Sequence, residues 1–353
     1  MIAERILGNE LMPIYEKVKA GVRLGKRDGY LLYRTPNLTG VGYLANIVRE
    51  RLHGDTAYYV RNQHINYTNL CNKLCRFCSF YAKKGGPAPY TLTPEQVKQR
   101  LRQYLHVPIT EVHIKAFTAV EIVQIAQVAE MSYEDTLRTL KRAGLDSLPG
   151  GGLEIYSERI HQELFPRKIG GEEWSEVARA AARVGLSQYA TMLYGHIETI
   201  EERVEHLMRL RELQDETGHF LALTPLSFHP EGTELEHLPH PSGYDDLRNI
   251  AVSRLMLDNF PHIKSFWVMN TPAVTQVALW YGADDVDGTV HEYEITYQDD
   301  APGERQQVLT RQQMIELIRE AGRTPVERDS HYREVRREPP DRNLIPLYRR
   351  IDK

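Results

Sequence analysis

The sequence HINYTNLCNKLCRFCSFY, residues 64–81, contains all three cysteines of the chain. Three residues separate Cys71 from Cys75 and two separate Cys75 from Cys78, with Phe77 directly before the last cysteine. Three thiolates can bind three irons of a 4Fe-4S cluster and leave the fourth iron with an open position. A disulfide framework needs cysteines that are spread along the chain, so this spacing indicates reduced thiols and a metal centre.

A structural zinc ion is the alternative interpretation of the same cysteines. The three thiolates and a histidine such as His64 would then complete a tetrahedron. Zinc sites more commonly combine two short Cys-x-x-Cys elements that lie far apart in the sequence. The compact three-then-two spacing therefore favours the cluster.

The chain around the cysteines alternates short β-branched runs with amphipathic helical stretches from about residue 59 onward. This alternation predicts βα units around a parallel sheet or barrel. Capping residues mark the helix starts at Thr93, Ser132, Thr199 and Thr310. Strands are expected at residues 62–67, 111–117, around 148, 188–193 and 220–226.

The predicted fold is α/β, a partial (β/α) barrel that carries a C-terminal α/β extension. We expect four segments: an N-terminal helical segment at 1–58, the barrel core at 59–235, the extension at 236–328 and an extended tail at 329–353.

Composition excludes several classes of partner. The chain has 353 residues, 41% hydrophobic content and a formal charge of -4, with no run of Lys or Arg that would bind a phosphate backbone. Nowhere do about eighteen apolar residues run together, and the N-terminus lacks the apolar core of a signal peptide. We therefore expect a cytoplasmic protein without a membrane span that does not bind nucleic acid.

Polar residues follow the expected strands at the end where barrel enzymes place their active sites. Glu154 comes after three glycines and could accept hydrogen bonds from a ligand, or it could cap the next turn. Glu198 could act in the site or could stabilise the N-terminal turn of the helix that begins after Thr199. His229 could orient a substrate or move a proton, although lone histidines are often only hydrogen-bonded.

Five tracts carry a resemblance to a known family. Residues 64–81 resemble the branch of radical S-adenosylmethionine enzymes that includes aminofutalosine synthases, dehypoxanthine futalosine cyclases and deazaflavin-forming synthases. The tracts PGGGLEI (149–155), TMLYGHIET (191–199), PLSFHPEGT (225–233) and GADDVDGT (282–289) are most similar to aminofutalosine synthases. The resemblance extends from about residue 6 to residue 329.

The resemblance implies a radical transferase in the futalosine route to menaquinone. Such an enzyme binds a 4Fe-4S cluster and consumes S-adenosyl-L-methionine as a co-substrate. The 5'-deoxyadenosyl radical would add to 3-[(1-carboxyvinyl)oxy]benzoate and give 6-amino-6-deoxyfutalosine, methionine and bicarbonate. A low-potential electron donor of flavodoxin or ferredoxin type is expected as a partner. The alternatives are a cyclase-like radical enzyme and a catalytically silent paralogue that binds the cluster or the cofactor.

The resemblance also predicts roles for individual residues. The expected metal ligands are Cys71, Cys75 and Cys78. The expected cofactor-binding residues are Phe77, Glu154, Gly151, Thr191 and His196. The expected substrate-binding residues are Asn66, Thr68 and Asn69, and the expected catalytic residues are His229, Glu198 and Tyr194.

The chain departs from the family pattern between Thr110 and Lys115. Relatives are expected to have a glycine-containing loop and a helix between two strands that are fused here, so about thirty residues, the size of one βα unit, are missing. The loss would remove groups that normally hold the methionine ammonium of the cofactor. It would also expose strand edges, unless neighbouring elements shift or another chain fills the gap.

Overall fold

The structure is a computed structural model that describes residues 2–105, 112–290 and 308–339. The helices in this part of the chain are α1 (Ile2–Ala20), α2 (Lys26–Arg34), α3 (Leu38–His53), α4 (Pro94–Leu105), α5 (Ala119–Ala129), α6 (Tyr133–Arg142), α7 (Glu158–Leu164), α8 (Gly171–Arg183), α9 (Ile200–Thr217), α10 (Gly243–Met256), α11 (Trp267–Asn270), α12 (Pro272–Ala278) and α13 (Arg311–Glu320). The strands are β1 (Thr56–Val60), β2 (Ser147–Leu148), β3 (Ser187–Tyr194), β4 (Phe220–Ser227), β5 (His262–Ile263), β6 (Asp285–Gly288), β7 (Thr324–Arg328) and β8 (Glu334–Arg337).

The strands form two sheets with the orders β2-β3-β4-β5 and β6-β1-β7-β8. All neighbours are parallel except β7 and β8. A parallel bridge between Lys264 and Asp285 connects the two sheets, and a second bridge adds Lys115 to the free edge of β2. The result is a barrel of parallel strands with most helices on the outside, which confirms the predicted α/β barrel.

The predicted helix caps are confirmed. Ser132, Thr199 and Thr310 each accept a hydrogen bond from the backbone N–H three residues later. Thr93 does the same for Gln96, whose side chain accepts from the Thr93 N–H at 2.7 Å. These bonds satisfy N–H groups that the first turn of a helix leaves without partners.

The first strand lies earlier than predicted, at β1 rather than at residues 62–67. Asn62 ends the ladder because its N–H donates to the Thr289 hydroxyl at 3.2 Å and its Oδ1 accepts from the Val290 N–H at 2.9 Å. A polar side chain thus replaces strand pairing at this point. Residues 62–67 leave the barrel as a loop that leads to the cysteines.

The main core lies between the barrel strands and the outer helices. Ala190 and Met192 of β3 are fully buried in it, together with Leu207 of α9 and Ile250 of α10. Successive strand residues point to opposite faces, so Tyr189 and Thr191 point into the barrel. None of the helices in the described ranges is long and apolar enough to cross a membrane.

The hairpin of β7 and β8 covers the edge that the missing βα unit would have left open. β7 pairs in parallel with β1 over Thr56 to Tyr59, on the side opposite β6. The turn of the hairpin reaches across the barrel, where Tyr332 stacks on His262 with ring centroids 3.5 Å apart and the Tyr189 hydroxyl donates to the Ser330 carbonyl at 2.6 Å. Neighbouring elements therefore fill much of the predicted gap.

The same hairpin includes the first part of the segment that was expected to be an extended tail, residues 329–353. Residues 329–332 lie against the barrel and Glu334–Arg337 forms an exposed edge strand, whereas 340–353 lie outside the described residues. His331 contacts His113 with ring centroids 4.6 Å apart, so the hairpin turn approaches the segment of Lys115. Residues 106–111, where the chain departs from its family, also lie outside the described ranges.

We expect Tyr332→Ala to lower the free energy of unfolding by about 2–4 kcal/mol, because it removes an aromatic ring packed between His262 and Tyr58. Tyr332→Phe is the matched control, because the buried Tyr332 hydroxyl has no hydrogen-bond partner among the described residues. Urea titration followed by circular dichroism measures both variants. An equal loss in the two variants would contradict the proposed packing role of the ring.

Candidate active site

The cysteine loop lies over the carboxyl ends of the barrel strands. Its backbone is held by Arg76, whose N–H donates to the Leu164 carbonyl at 2.9 Å and whose carbonyl accepts from the Glu234 N–H at 3.0 Å. Cys71 is exposed, Cys75 is buried and Cys78 is intermediate, and all three are free thiols. The loop is therefore anchored through its middle while the sulfurs span a range of exposure.

A second, smaller core fixes the loop from below. Its buried members come from the loop, from strand ends and from helix α7, and they are Cys75, Ile155, Ile160, Leu164, Phe165, Leu193, Phe228 and Leu235. Phe77 packs against it and meets Phe165 edge to face with ring centroids 5.8 Å apart. The aromatic residue before the last cysteine thus supports the loop.

The three cysteine sulfurs do not lie as close together as a single zinc ion would hold them. Two groups of described residues have ligand atoms that all lie within 4.8 Å of one another, and the three cysteines do not form such a group. Around one tetrahedral zinc ion with Zn–S bonds of about 2.3 Å, the sulfurs would lie roughly 3.8 Å apart. Burial raises the pKa of the Cys75 thiol to about 12, and iron binding would displace its proton.

Lys168 and Glu154 form a buried ion pair beside the loop. Glu154 has a left-handed backbone, with φ +59, and the Lys168 ammonium lies 5.1 Å from the centroid of the Phe77 ring. Burial disfavours the Lys168 charge, but Glu154 and Cys75 outweigh it and raise the pKa of Lys168. Glu154 thus faces the cysteine loop, where a cofactor would lie.

Sequence reasoning missed Lys168, because a lone lysine after α7 belongs to no motif. It is brought to Glu154 and Cys75 only by the tertiary fold.

The three glycines before Glu154 serve packing as much as ligand access. A Cβ on Gly150 would lie 2.5 Å from the Ala190 backbone, and Gly152 has φ +102. Gly151 has more room, since its Cβ would meet only Thr118 at 3.4 Å. Of the three, Gly151 best retains the predicted access to a ligand.

The residues of β3 divide between the two faces of the strand. Thr191 points inward and its hydroxyl donates to the Gly150 carbonyl at 3.0 Å. Tyr194, three residues later, points outward, where its hydroxyl donates to Asp246 at 2.7 Å and accepts from Asn270 at 3.0 Å. The side chain of Tyr194 is fully buried in the main core, which favours a structural role over the predicted catalytic one.

His196 and Glu198 lie in the turn after β3. The two Glu198 oxygens accept from the N–H groups of Gly195 at 2.6 Å and His196 at 2.9 Å, and Arg203 forms an ion pair with the same carboxylate. The Glu198 side chain is fully buried, so the structural interpretation of this residue is the better supported one. His196 Nδ1 lies 3.0 Å from Glu198, and burial lowers the pKa of His196.

His229 follows β4 at the mouth of the barrel and is buried. Its Nε2 lies 3.2 Å from the Met269 carbonyl, and its ring centroid lies 5.5 Å from that of His240. The neighbouring Glu231 forms an ion pair with His240. His229 is therefore held in place at the mouth by a backbone contact.

Asn66, Thr68 and Asn69 precede the cysteines but differ in their surroundings. The Thr68 hydroxyl donates to the Tyr90 carbonyl, and Asn69 bonds to the backbone of Ala88 and Tyr90, so both fasten the loop to a neighbouring segment. Asn66 Nδ2 is buried without a hydrogen-bond partner among the described residues. Of the three, Asn66 has the donor best placed to bind a ligand.

Comparison with known proteins agrees with this arrangement. Residues 217–341 match a family model described as the CofH/MqnC C-terminal region. The chain is 42% identical to the aminodeoxyfutalosine synthase of Thermus thermophilus over 92% of this chain and 96% of the relative. It is 38% identical to the aminodeoxyfutalosine synthase of Streptomyces coelicolor over 91% and 93%, and 34% identical to the cyclic dehypoxanthine futalosine synthase of Halalkalibacterium halodurans over 92% and 94%.

Among solved structures, methylornithine synthase has the same fold with a TM-score of 0.65, 20% identity and coverage of 86% of this chain and 95% of that one. A parallel barrel whose carboxyl end carries three cysteines spaced by three and two residues defines the class of radical S-adenosylmethionine enzymes. Within that class, the chain belongs to the aminodeoxyfutalosine synthase family.

The alignment with the Thermus thermophilus relative also bears on the missing unit. It extends over 359 positions, more than the 353 residues of this chain. Since 92% of 353 residues is about 325, about 34 positions of the alignment have no residue of this chain opposite them. That number agrees with the predicted absence of one βα unit.

Replacing any one of the three cysteines by alanine is expected to abolish the cluster, because each sulfur would be one of only three protein ligands. Iron and acid-labile sulfide are measured after anaerobic reconstitution. Asn72→Ala, in the same loop, is the matched control and should retain iron. Full iron content in Cys75→Ala would refute the cluster assignment.

Gly150→Ala is expected to lower the free energy of unfolding by about 1–3 kcal/mol or more, because the new methyl group would overlap the Ala190 backbone. Gly170→Ala is the control, since nothing lies within 4 Å of its Cβ position. Thermal unfolding distinguishes the two. Equal melting temperatures would show that β2 and β3 are not packed as tightly as described.

Proposed function

We propose that this chain catalyses the aminodeoxyfutalosine synthase reaction. S-Adenosyl-L-methionine, 3-[(1-carboxyvinyl)oxy]benzoate and water would give 6-amino-6-deoxyfutalosine, L-methionine, bicarbonate and a proton. The observation that carries the proposal is the 42% identity to an enzyme of that name over nearly the whole chain, with the three-cysteine loop in place at the barrel mouth. The 34% identity to the cyclase is lower over a similar span, which favours the synthase over the cyclase-like alternative.

The cluster, held by Cys71, Cys75 and Cys78, would supply the electron that cleaves the sulfonium of S-adenosylmethionine. A flavodoxin- or ferredoxin-type protein would reduce it. The protein itself would hold the adenosyl carbon against the vinyl carbon of the enol ether and keep water away.

Different residues at the barrel mouth would contact different parts of the cofactor. Phe77 would contact the adenine through its backbone, and Gly151 and Thr191 would line the barrel side of the cofactor. Glu154, which pairs with Lys168, would accept from the ribose hydroxyls or the methionine ammonium. This last contact matters because the family loop that normally holds the ammonium is missing.

The remaining predicted residues would act on the substrate or on the site geometry. The Nδ2 of Asn66, which has no hydrogen-bond partner in the described part of the chain, would donate to the substrate, and His229 would orient it or move a proton. Tyr194, His196 and Glu198 would position the mouth of the barrel through their buried contacts. Thr68 and Asn69 would hold the cysteine loop in register.

The pairing of β7 with the free edge of β1 supports an active enzyme over a silent paralogue. With β6 on one edge and β7 on the other, β1, the strand that leads into the cysteine loop, has neighbours on both sides. The shortened chain thus retains the framework that the reaction needs.

The test is anaerobic reconstitution with iron and sulfide, followed by reduction with dithionite in the presence of both substrates and mass analysis of the products. We expect aminodeoxyfutalosine and methionine in equal amounts. Cleavage to 5'-deoxyadenosine without an adduct would point to another substrate. A cluster without any cleavage would identify a silent paralogue.

A further inference from the structure

Among the described residues that face the barrel interior, one positive charge has no carboxylate partner. Lys264 lies 3.1 Å from Asp287, and Arg328 lies 2.5 Å from Asp285. Lys115 has neither an ion pair nor a hydrogen bond from its ammonium among the described residues. Its described contact is with the Tyr189 ring, whose centroid lies 4.5 Å from the Lys115 Nζ.

The neighbours of Lys115 place its side chain inside the barrel. Tyr189 belongs to β3, and Lys264, whose Nζ lies 4.9 Å from the same ring centroid, directly follows β5. Because these residues come from strands that are not adjacent, they can meet only in the interior. Lys115 nevertheless keeps an exposed side chain, so it faces open space rather than packed atoms.

The surrounding charges leave that ammonium uncompensated. Two carboxylates, Asp285 and Asp287, face three cations, and burial lowers the pKa of His64 to about 4, so His64 adds no charge near neutral pH. The barrel residues that surround Lys115 partly desolvate its ammonium although a ligand can still reach it, and this desolvation together with the neighbouring Lys264 lowers the pKa of Lys115 to about 8. A carboxylate bound to Lys115 would offset both the desolvation of its ammonium and the repulsion from Lys264.

We propose that the Lys115 ammonium binds the ring carboxylate of the aromatic substrate. The inference rests on the proposed function and adds to it the group that recognises one end of the substrate. Lys115 lies three residues before Thr118, at most about 10 Å of chain below the barrel mouth. The vinyl carbon must lie at the mouth near the cysteine loop, so the benzoate end extends inward to Lys115.

The chemistry of the two carboxylates supports the same orientation. The carboxyl group on the enol ether leaves as bicarbonate, whereas the ring carboxylate is retained in the product. A lysine that binds the retained group holds the substrate throughout the reaction without stabilising the group that must leave.

The strand pattern offered a signal for this residue. Alternation in residues 111–117 places His113, Lys115 and Phe117 on one face of a strand. A lysine on the inward face of a barrel strand is costly unless it binds a partner.

The experiment measures binding of two ligands to the reconstituted protein without reductant, by isothermal titration calorimetry. The first is 3-[(1-carboxyvinyl)oxy]benzoate, and the second is 2-phenoxyacrylate, which lacks the ring carboxylate. We expect Lys115→Met to bind the benzoate about 10- to 100-fold more weakly than the unmodified protein, as for loss of a charge-assisted hydrogen bond. Lys115→Arg should recover part of the affinity, and Lys98→Met, an exposed lysine on α4, should bind like the unmodified protein.

Binding of 2-phenoxyacrylate distinguishes a loss of affinity for the ring carboxylate from a general loss of ligand affinity. The unmodified protein and Lys115→Met should bind 2-phenoxyacrylate equally weakly, because neither can pair a ring carboxylate. Unchanged affinity of Lys115→Met for the benzoate, or an equal loss for both ligands, would overturn the proposal. So would an unmodified protein that binds the two ligands equally well, a result that needs no variant.

Turnover distinguishes this inference from the proposed function. A protein that binds the benzoate through Lys115 but forms no aminodeoxyfutalosine would refute the function and leave the carboxylate site standing. A protein that forms the product with unchanged KM after Lys115→Met would refute the site and leave the function standing.

Discussion

The structure depends on the pairing of β1 along both of its edges. β6 occupies one edge and β7 the other, and the side chain of Asn62 joins the end of β1 to residues 289 and 290. An unpaired strand edge in a parallel barrel would leave buried N–H and C=O groups without partners, at a cost of about 1–3 kcal/mol for each. The hairpin of β7 and β8 avoids that cost in a chain that has lost a βα unit. The cysteine loop begins a few residues beyond this strand, so the position of the loop depends on the same pairing.

The site combines an apolar support under the cysteine loop with a charged barrel interior. The cysteine loop lies on a small apolar core, whereas the barrel interior below it contains the ion pairs Lys264–Asp287 and Arg328–Asp285 and the Lys115 ammonium, which has no carboxylate partner among the described residues. The apolar support keeps the loop rigid near the mouth. The interior beneath it remains polar and partly open, which suits an aromatic ligand with a charged end. Glu154 and Lys168 lie where the two regions meet.

Much of this arrangement could be predicted from local signals in the sequence. Helix caps depend on residues three positions apart, and the strands β3 and β4 carry strong apolar patterns, so both were predicted near their observed places. The cysteine spacing predicts a cluster at the barrel mouth, and the iron measurement tests that prediction. Tyr194 was assigned to the site with Thr191, although residues three apart on a strand point to opposite faces. That alternation would have placed Tyr194 among the helices. Lys168 and the pairing of β7 with β1 could not be predicted, because each depends on contacts between segments far apart in the sequence.

The late position of β7 in the chain has a consequence for biosynthesis. About 270 residues separate β1 from the strand that covers its second edge. At the usual rate of translation, about 5–20 residues per second, that edge stays uncovered for at least ten seconds or so while the rest of the barrel is made. Over that time the nascent chain presents a strand edge that could pair with other chains. Chaperones that shield such edges would therefore matter more for this shortened chain than for relatives whose next βα unit emerges soon after the first strand.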